Sequence, residues 1–246
     1  MKKTIYFVVL AAILSLVTFP SNAQHKLVEI EDFYFGVHTG MPVAEADYSS
    51  FGGGRLHPSW DVGVNVGYRL TDMWSVEFTT SWGQFFMQQQ DCCLEREYIL
   101  GSDHNRYFPD LFPGYVEDGK SYEDLKSRTF AQRYGIMANV NILGLFNMAD
   151  NCPWRLELSP AVYAVGSCSD ILSKEDNVPF IENVDKWHFG YGGQISASYA
   201  IRADMNVGVY GGYTQLTGKP FCGMPKLHST NYIVDAGIKL TVSIEN

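Results

Sequence analysis

The feature that most constrains this chain is the strict alternation of residues 231–246. Tyr232, Val234, Ala236, Ile238, Leu240, Val242 and Ile244 share one parity. Asn231, Asp235, Gly237, Lys239, Thr241 and Ser243 share the other, with Ile233 as its apolar member. A period of two means a β-strand with one apolar and one polar face. Globular strands usually run 3–10 residues, whereas a tilted strand crosses a bilayer in roughly 9–11. A run of this length points to a membrane strand, and a membrane strand requires partners that repeat its pattern and close a ring.

Seven earlier segments repeat it. The alternation predicts strands over 32–40, 59–70, 74–86, 128–143, 154–166, 187–201 and 205–217. Thr71-Asp72-Met73 and Arg202-Ala203-Asp204 read as tight turns and 144–153 as a modest connection. The segments 41–58, 87–127, 167–186 and 218–228 read as long loops, with a short helix around 121–126. Pro160 interrupts its strand, because proline has no N–H for the ladder, and a bulge is expected there. Long and short connections alternate, as they do when all short turns lie at one end of an up-and-down sheet. The expected fold is therefore all-β: a transmembrane antiparallel up-and-down β-barrel of eight strands with long external loops.

A soluble barrel of lipocalin type would share this parity but turn the apolar face inward. The polar face argues for the membrane. It is mostly Gly, Ser, Thr and Asn rather than the Lys and Glu of a water-facing surface. All five Trp (60, 74, 82, 154 and 187) lie on the apolar parity near strand ends, as aromatic girdles at the two bilayer interfaces require. Trp60, Trp74, Trp82, Trp154 and Trp187, with Tyr68, Tyr199, Tyr213 and Tyr232, are the expected girdle. Asp61, Arg69, Glu77, Arg133, Arg155, Glu157, Asp235 and Lys239 are charged and fall on the lumen parity. Buried charges must pair, and Arg133 with Glu77 or Glu157 is the expected pairing. The formal net charge of −9 disfavours nucleic acid as a partner.

Residues 1–23 read as a signal peptide. Lys2 and Lys3 precede an apolar run, and Pro20-Ser21-Asn22-Ala23 supplies the small residues of a cleavage site, leaving 24–246 as the barrel. Five Cys in an exported chain permit disulfides. Cys92, Cys93, Cys168 and Cys222 fall in loops at one end, where either a loop-to-loop bridge or free thiols would be compatible with the spacing. Cys152 falls at the other end.

The alternating strands together with the terminal one resemble the eight-stranded outer-membrane β-barrel family. Within it the chain looks most like the OmpA/OmpX-like group and the PorT-like outer-membrane barrels of Bacteroidetes. The resemblance covers roughly residues 32–246. Its motif is Asp235-Ala236-Gly237-Ile238-Lys239-Leu240-Thr241-Val242, similar to the terminal-strand signal read by the barrel assembly machinery, with Asp235, Gly237, Leu240 and Val242 at the matching positions. The chain departs from the commonest pattern by ending in Ile244-Glu245-Asn246 rather than Phe. The resemblance implies a Gram-negative outer membrane, its lipid and the assembly machinery as partners, no cofactor, and a structural role or a surface interaction carried by the loops. The alternatives are a small transport or ligand-binding barrel and a lipid-modifying enzyme. For the enzyme, His188 and Ser196 share the lumen face but stand eight residues apart on one strand, roughly 26 Å, beyond proton transfer. No metal or nucleotide spacing occurs in the sequence, so a non-enzyme with no catalytic or metal residues is expected.

Overall fold

The computed structural model describes residues 32–89, 98–107, 119–146, 152–202, 204–225 and 231–244. Residues 1–23, Cys92 and Cys93 lie outside these. Eight strands form the wall: β1 (Asp32–Gly40), β2 (Trp60–Arg69), β3 (Trp74–Gln89), β4 (Leu125–Asn141), β5 (Trp154–Ser173), β6 (Pro179–Arg202), β7 (Met205–Leu216) and β8 (Tyr232–Ile244). Each pairs antiparallel with its neighbour in sequence, and β1 pairs with β8 to close the ring. The ring leaves no edge along its spanning part, so backbone polar groups are satisfied within the wall.

The register fixes the tilt. Cross-strand partners lead from Phe35 to Val66, Phe78, Ile136, Val162, Tyr191, Gln215 and Tyr232, and arrive at Glu45. One circuit therefore moves ten residues along the chain, from 35 to 45. With strands ~4.8 Å apart and ~3.3 Å per residue, that stagger tilts eight strands by roughly 40°. A barrel of this size has an interior that side chains can fill.

The apolar parity faces outward. Val62, Val64 and Val66 of β2 are exposed, while Asp61 and Asn65 on the alternate positions are buried. Ile136, Ile195 and Ile238 are each more than half exposed, and Glu77, Arg133 and Asn139 on the opposite faces of the wall are buried. A soluble barrel would have the reverse arrangement. The chain is a transmembrane β-barrel, and its polar residues line the lumen. Val64 lies midway between Trp60 and Tyr68 on the outer face. Val64→Arg is expected to destabilise the refolded barrel by about 2–4 kcal/mol in lipid, read from the shift of its urea unfolding midpoint.

The ends differ as expected, with one exception. At the short-turn end, the Thr71 hydroxyl accepts from the backbone N–H of Met73 and of Trp74, closing the β2–β3 turn. Between β4 and β5, the short helix α1 (Ile142–Leu145) is capped by the Asn141 side chain, which accepts from Leu143 N–H. At the other end, 167–186 is not a loop. β5 runs on to Ser173 and β6 starts at Pro179, so this hairpin rises beyond the rest of the ring. The tall wall continues through β4 and β3, which pair up to Lys126 and Gln88. Cys168 is consequently a strand residue opposite Asp185. Pro160 also behaves differently from expectation. It pairs with Gly193 without a shift, and the β4–β5 register is unchanged between Leu158↔Val140 and Ala161↔Met137. The missing N–H interrupts the ladder with β4 locally, and no extra residue is inserted.

Above the membrane band the polarity of the wall inverts. Outward positions become Gln84, Gln88, Lys126, Arg128 and Asp170, with Phe86 and Phe130 as exposed apolar members, while inward positions become Phe85, Met87, Leu125, Val165 and Ile171. The inward apolar groups pack with residues from three connections. Ala44, Ala46 and Tyr48 come from the first, where Val43–Glu45 and Tyr48–Ser49 form short strands. Tyr98, Leu100 and Tyr122 come from the second, whose Ile99–Leu100, Arg106–Tyr107 and Lys120–Ser121 form a small separate sheet. Phe221, Cys222 and Met224 come from the fourth. The long connections thus build a hydrophobic cap on the barrel mouth.

Candidate functional site

The site is the closed lumen and the cap over it. In the upper lumen, Arg133 of β4 is held by three strands. Its Nε donates to Ser81 Oγ at 3.0 Å, Nη1 donates to Asp235 Oδ2 at 2.5 Å, and Nη2 donates to Asp61 Oδ2. This differs from the expected pairing with Glu77 or Glu157. The register explains the difference: Glu77 lies opposite Met137 and Glu157 opposite Asn141, both well below Arg133, whose neighbours are Ser81 and Val165.

The middle lumen centres on Glu77. Lys239 Nζ donates to both its oxygens at 2.8 and 2.7 Å, and Tyr34 OH donates to Oε2 at 2.9 Å. Asn139 Nδ2 donates to Tyr34 OH and to Ser75 Oγ. The Tyr34 ring lies over Gly67 of the adjacent strand, where a Cβ would come within 2.0 Å of it. The Arg69 guanidinium lies over the same ring, 5.5 Å from its centroid. Lower still, Arg155 Nε donates to Glu157 Oε1 at 2.6 Å and Ser196 Oγ donates to Oε2. Arg133–Asp61, Arg133–Asp235 and Lys239–Glu77 join strands that are not neighbours, so they tie the lumen across as well as filling it. Between these groups remain cavities of about 30 Å³, beside Glu77 and Arg155, and about 20 Å³, beside Arg133 and Tyr210. Each has room for one or two waters.

Backbone carbonyls anchor the cap. Ser127 Oγ donates to Cys222 O at 2.6 Å and Ser169 Oγ to Phe221 O at 3.2 Å. Tyr48 OH donates to Tyr122 O and Tyr122 OH to Asp47 O, at 2.7 and 2.6 Å. Phe221 meets Phe85 edge-to-face at 4.9 Å between centroids. Sequence reasoning missed this core because its members are scattered among loops and appear on the parity that is polar elsewhere.

The remaining expected residues are placed as follows. Trp60, Trp154, Trp187, Tyr199 and Tyr213 are exposed on the outer face; Tyr68, Trp74, Trp82 and Tyr232 are there too, half-buried. Trp154 meets Tyr199 at 5.1 Å near the short turns, and Tyr213 meets Tyr232 at 5.5 Å near the cap. Cys168 and Cys222 do not pair: both are free thiols, one on the outer side of β5 and the other buried in the cap. Burial raises the Cys222 thiol to about 11. Gly237 pairs with Gly40 at the β1–β8 seam, where a Cβ would press Thr39 O at 2.2 Å. Leu240 and Val242 pair with Val37 and Phe35 along the same seam. His188 is far from Ser196 but donates to, or accepts from, Ser167 Oγ at 3.1 Å. That pair is buried under Phe221, 6.0 Å from the His188 ring. Pairing β5 with β6 beyond Gly166 would have revealed it.

No family model matches the chain, and no curated protein matches it. Among solved structures, the chain is similar to Neisserial surface protein A, with 10% identity over 86% of this chain and 97% of that one, at a TM-score of 0.47. It is similar to Ail of Yersinia pestis, with 6% identity over 87% and 99% and a TM-score of 0.45. It is also similar to a major outer membrane protein of Thermus thermophilus, with 10% identity over 86% and 99% and a TM-score of 0.46. The barrel assignment stands on the register and the two faces of the wall.

Proposed function

We propose that this chain is an outer-membrane barrel of a Gram-negative bacterium that serves as a non-catalytic structural or surface-interaction protein. Its capped end faces outward and meets the partner. The observation that carries this reading is the double closure of the lumen, by cross-strand ion pairs and by the hydrophobic cap. A folded cap held on a rigid wall is a presentation surface, and a filled interior has no path for solutes. The exposed Trp and Tyr at both ends of the wall are its lipid anchors. The seam residues Asp235, Gly237, Leu240 and Val242 double as the recognition segment for the assembly machinery. The refolded protein is expected to show heat-modifiable migration and to give no stable large conductance in a planar bilayer. A stable large conductance favours the transport reading instead. Recovery in the soluble fraction of cells overturns the membrane placement.

A further inference from the structure

High on the outer face of the tall wall lies a cavity of about 400 Å³, framed by β3, β4, the tip of the β5–β6 hairpin and residues 57–58. Its size is within the roughly 300–1,000 Å³ of small-ligand sites. Lys126 and Arg128 line it from alternate, outward positions of β4, roughly 7 Å apart. His57 also lines it, with its Nε2 3.0 Å from Gly52 O, and no carboxylate is among the described residues that line it. Lys126 donates to the neutral amide of Asn177. Arg128 spends one donor on Asp170, at 2.9 Å, out of the five a guanidinium has. On a chain with a formal charge of −9, this is a local basic patch.

The floor is apolar. Phe86 is the cross-strand partner of Arg128 and lines the cavity. Phe130, exposed, is two residues closer to the membrane on β4; Gln132 follows on the same face beside Trp82 of β3, and then Tyr134 and Ile136. The basic groups therefore stand directly above two outward aromatic rings, Phe86 and Phe130, and Gln84 and Gln132 mark the step from those rings down to the apolar band. A soluble anion would use only the upper half of this arrangement. A lipid with a phosphorylated headgroup uses both halves.

We propose that this cavity holds the phosphate-bearing headgroup of an outer-leaflet lipid. Lys126 and Arg128 contact the phosphate, and Phe86 and Phe130 contact the acyl region. The inference rests on the membrane placement proposed above, and heat-modifiable migration checks that placement separately. The test is native mass spectrometry of the refolded full chain in neutral detergent, with lipid A, phosphatidylcholine or inorganic phosphate as the probe. Lipid A is expected to stay bound in preference to phosphatidylcholine, and Lys126→Gln/Arg128→Gln is expected to cut its retention roughly tenfold or more. The single variant Lys126→Gln, which leaves the Arg128–Asp170 pair intact, gives a smaller loss in the same direction. Retention of lipid A unchanged in both heat-modifiable variants overturns the site, as does equal retention of phosphatidylcholine. Inorganic phosphate binding as tightly as lipid A overturns the lipid as occupant.

Discussion

Arg133→Met is expected to lower the stability of the refolded barrel by about 3–5 kcal/mol. The variant removes the cation that Asp61 and Asp235 share, and it leaves two carboxylates facing each other inside the wall. Asp61 is 1% exposed and the cavity beside Arg133 holds one or two waters at most, so hydration cannot replace the guanidinium without the barrel opening. The loss should appear as a lower urea midpoint for both tryptophan fluorescence and heat-modifiable migration, with an unchanged slope. Removing the whole cluster is a different experiment. Arg133→Met combined with Asp61→Asn and Asp235→Asn leaves no buried charge, and most of the lost stability should return, because a buried ion pair is close to neutral against uncharged replacements. If Arg133→Met unfolds at the wild-type midpoint, the upper lumen is hydrated and the claim of a sealed interior fails.

The same cluster shows how far the sequence alone could be read. Parity placed Asp61, Arg133 and Asp235 on the lumen face. Choosing the partners required the register, which parity does not give: sliding a strand by two residues leaves every face unchanged and replaces every neighbour. Arg133 faces Ser81 and reaches Asp61 and Asp235 across the lumen because one circuit of the wall advances ten residues. The tall hairpin was illegible for another reason. Between Ser167 and Lys186, Ser167, Ser169 and Ser173 point inward while Cys168 and Asp170 point outward. Outside the bilayer no lipid demands an apolar face, so the alternation that identifies the spanning strands fades, and small polar residues read as loop. The cap failed to show for a related reason. Its core draws single residues from several connections, and a core assembled from non-local contacts leaves no periodic trace. By contrast, β1 and β2 were legible almost to the residue, because each has lipid on one side and the lumen on the other over its whole length.

The second large effect concerns the cap. Phe221→Ala is expected to cost about 3–5 kcal/mol of packing, because Phe221 is fully buried against Phe85 and lies over His188. This loss should not register in the unfolding of the wall. The ring is closed by its own ladder and ion pairs, whereas the 218–225 segment is tied to it by side-chain contacts such as Ser127 to Cys222 O and Ser169 to Phe221 O. Stability distributed in this way permits local opening without global unfolding. Cys222 reports on it directly. Its thiol is wholly buried, and burial raises it to about 11, so at neutral pH both access and thiolate are scarce. In the wild type, a maleimide reagent should spare Cys222, as located by peptide mass mapping. In Phe221→Ala the opening equilibrium shifts, and labelling of Cys222 should accelerate roughly a hundredfold or more, since 1.4 kcal/mol corresponds to a factor of ten. The urea midpoint of heat-modifiable migration should stay where it was. A joint fall of that midpoint would mean that cap and wall unfold as one unit. Equal labelling of wild type and variant would mean that the cap is not packed at all. If the cap alone loosens, the planar bilayer should remain silent, because Arg133 and Lys239 still bridge the lumen beneath it.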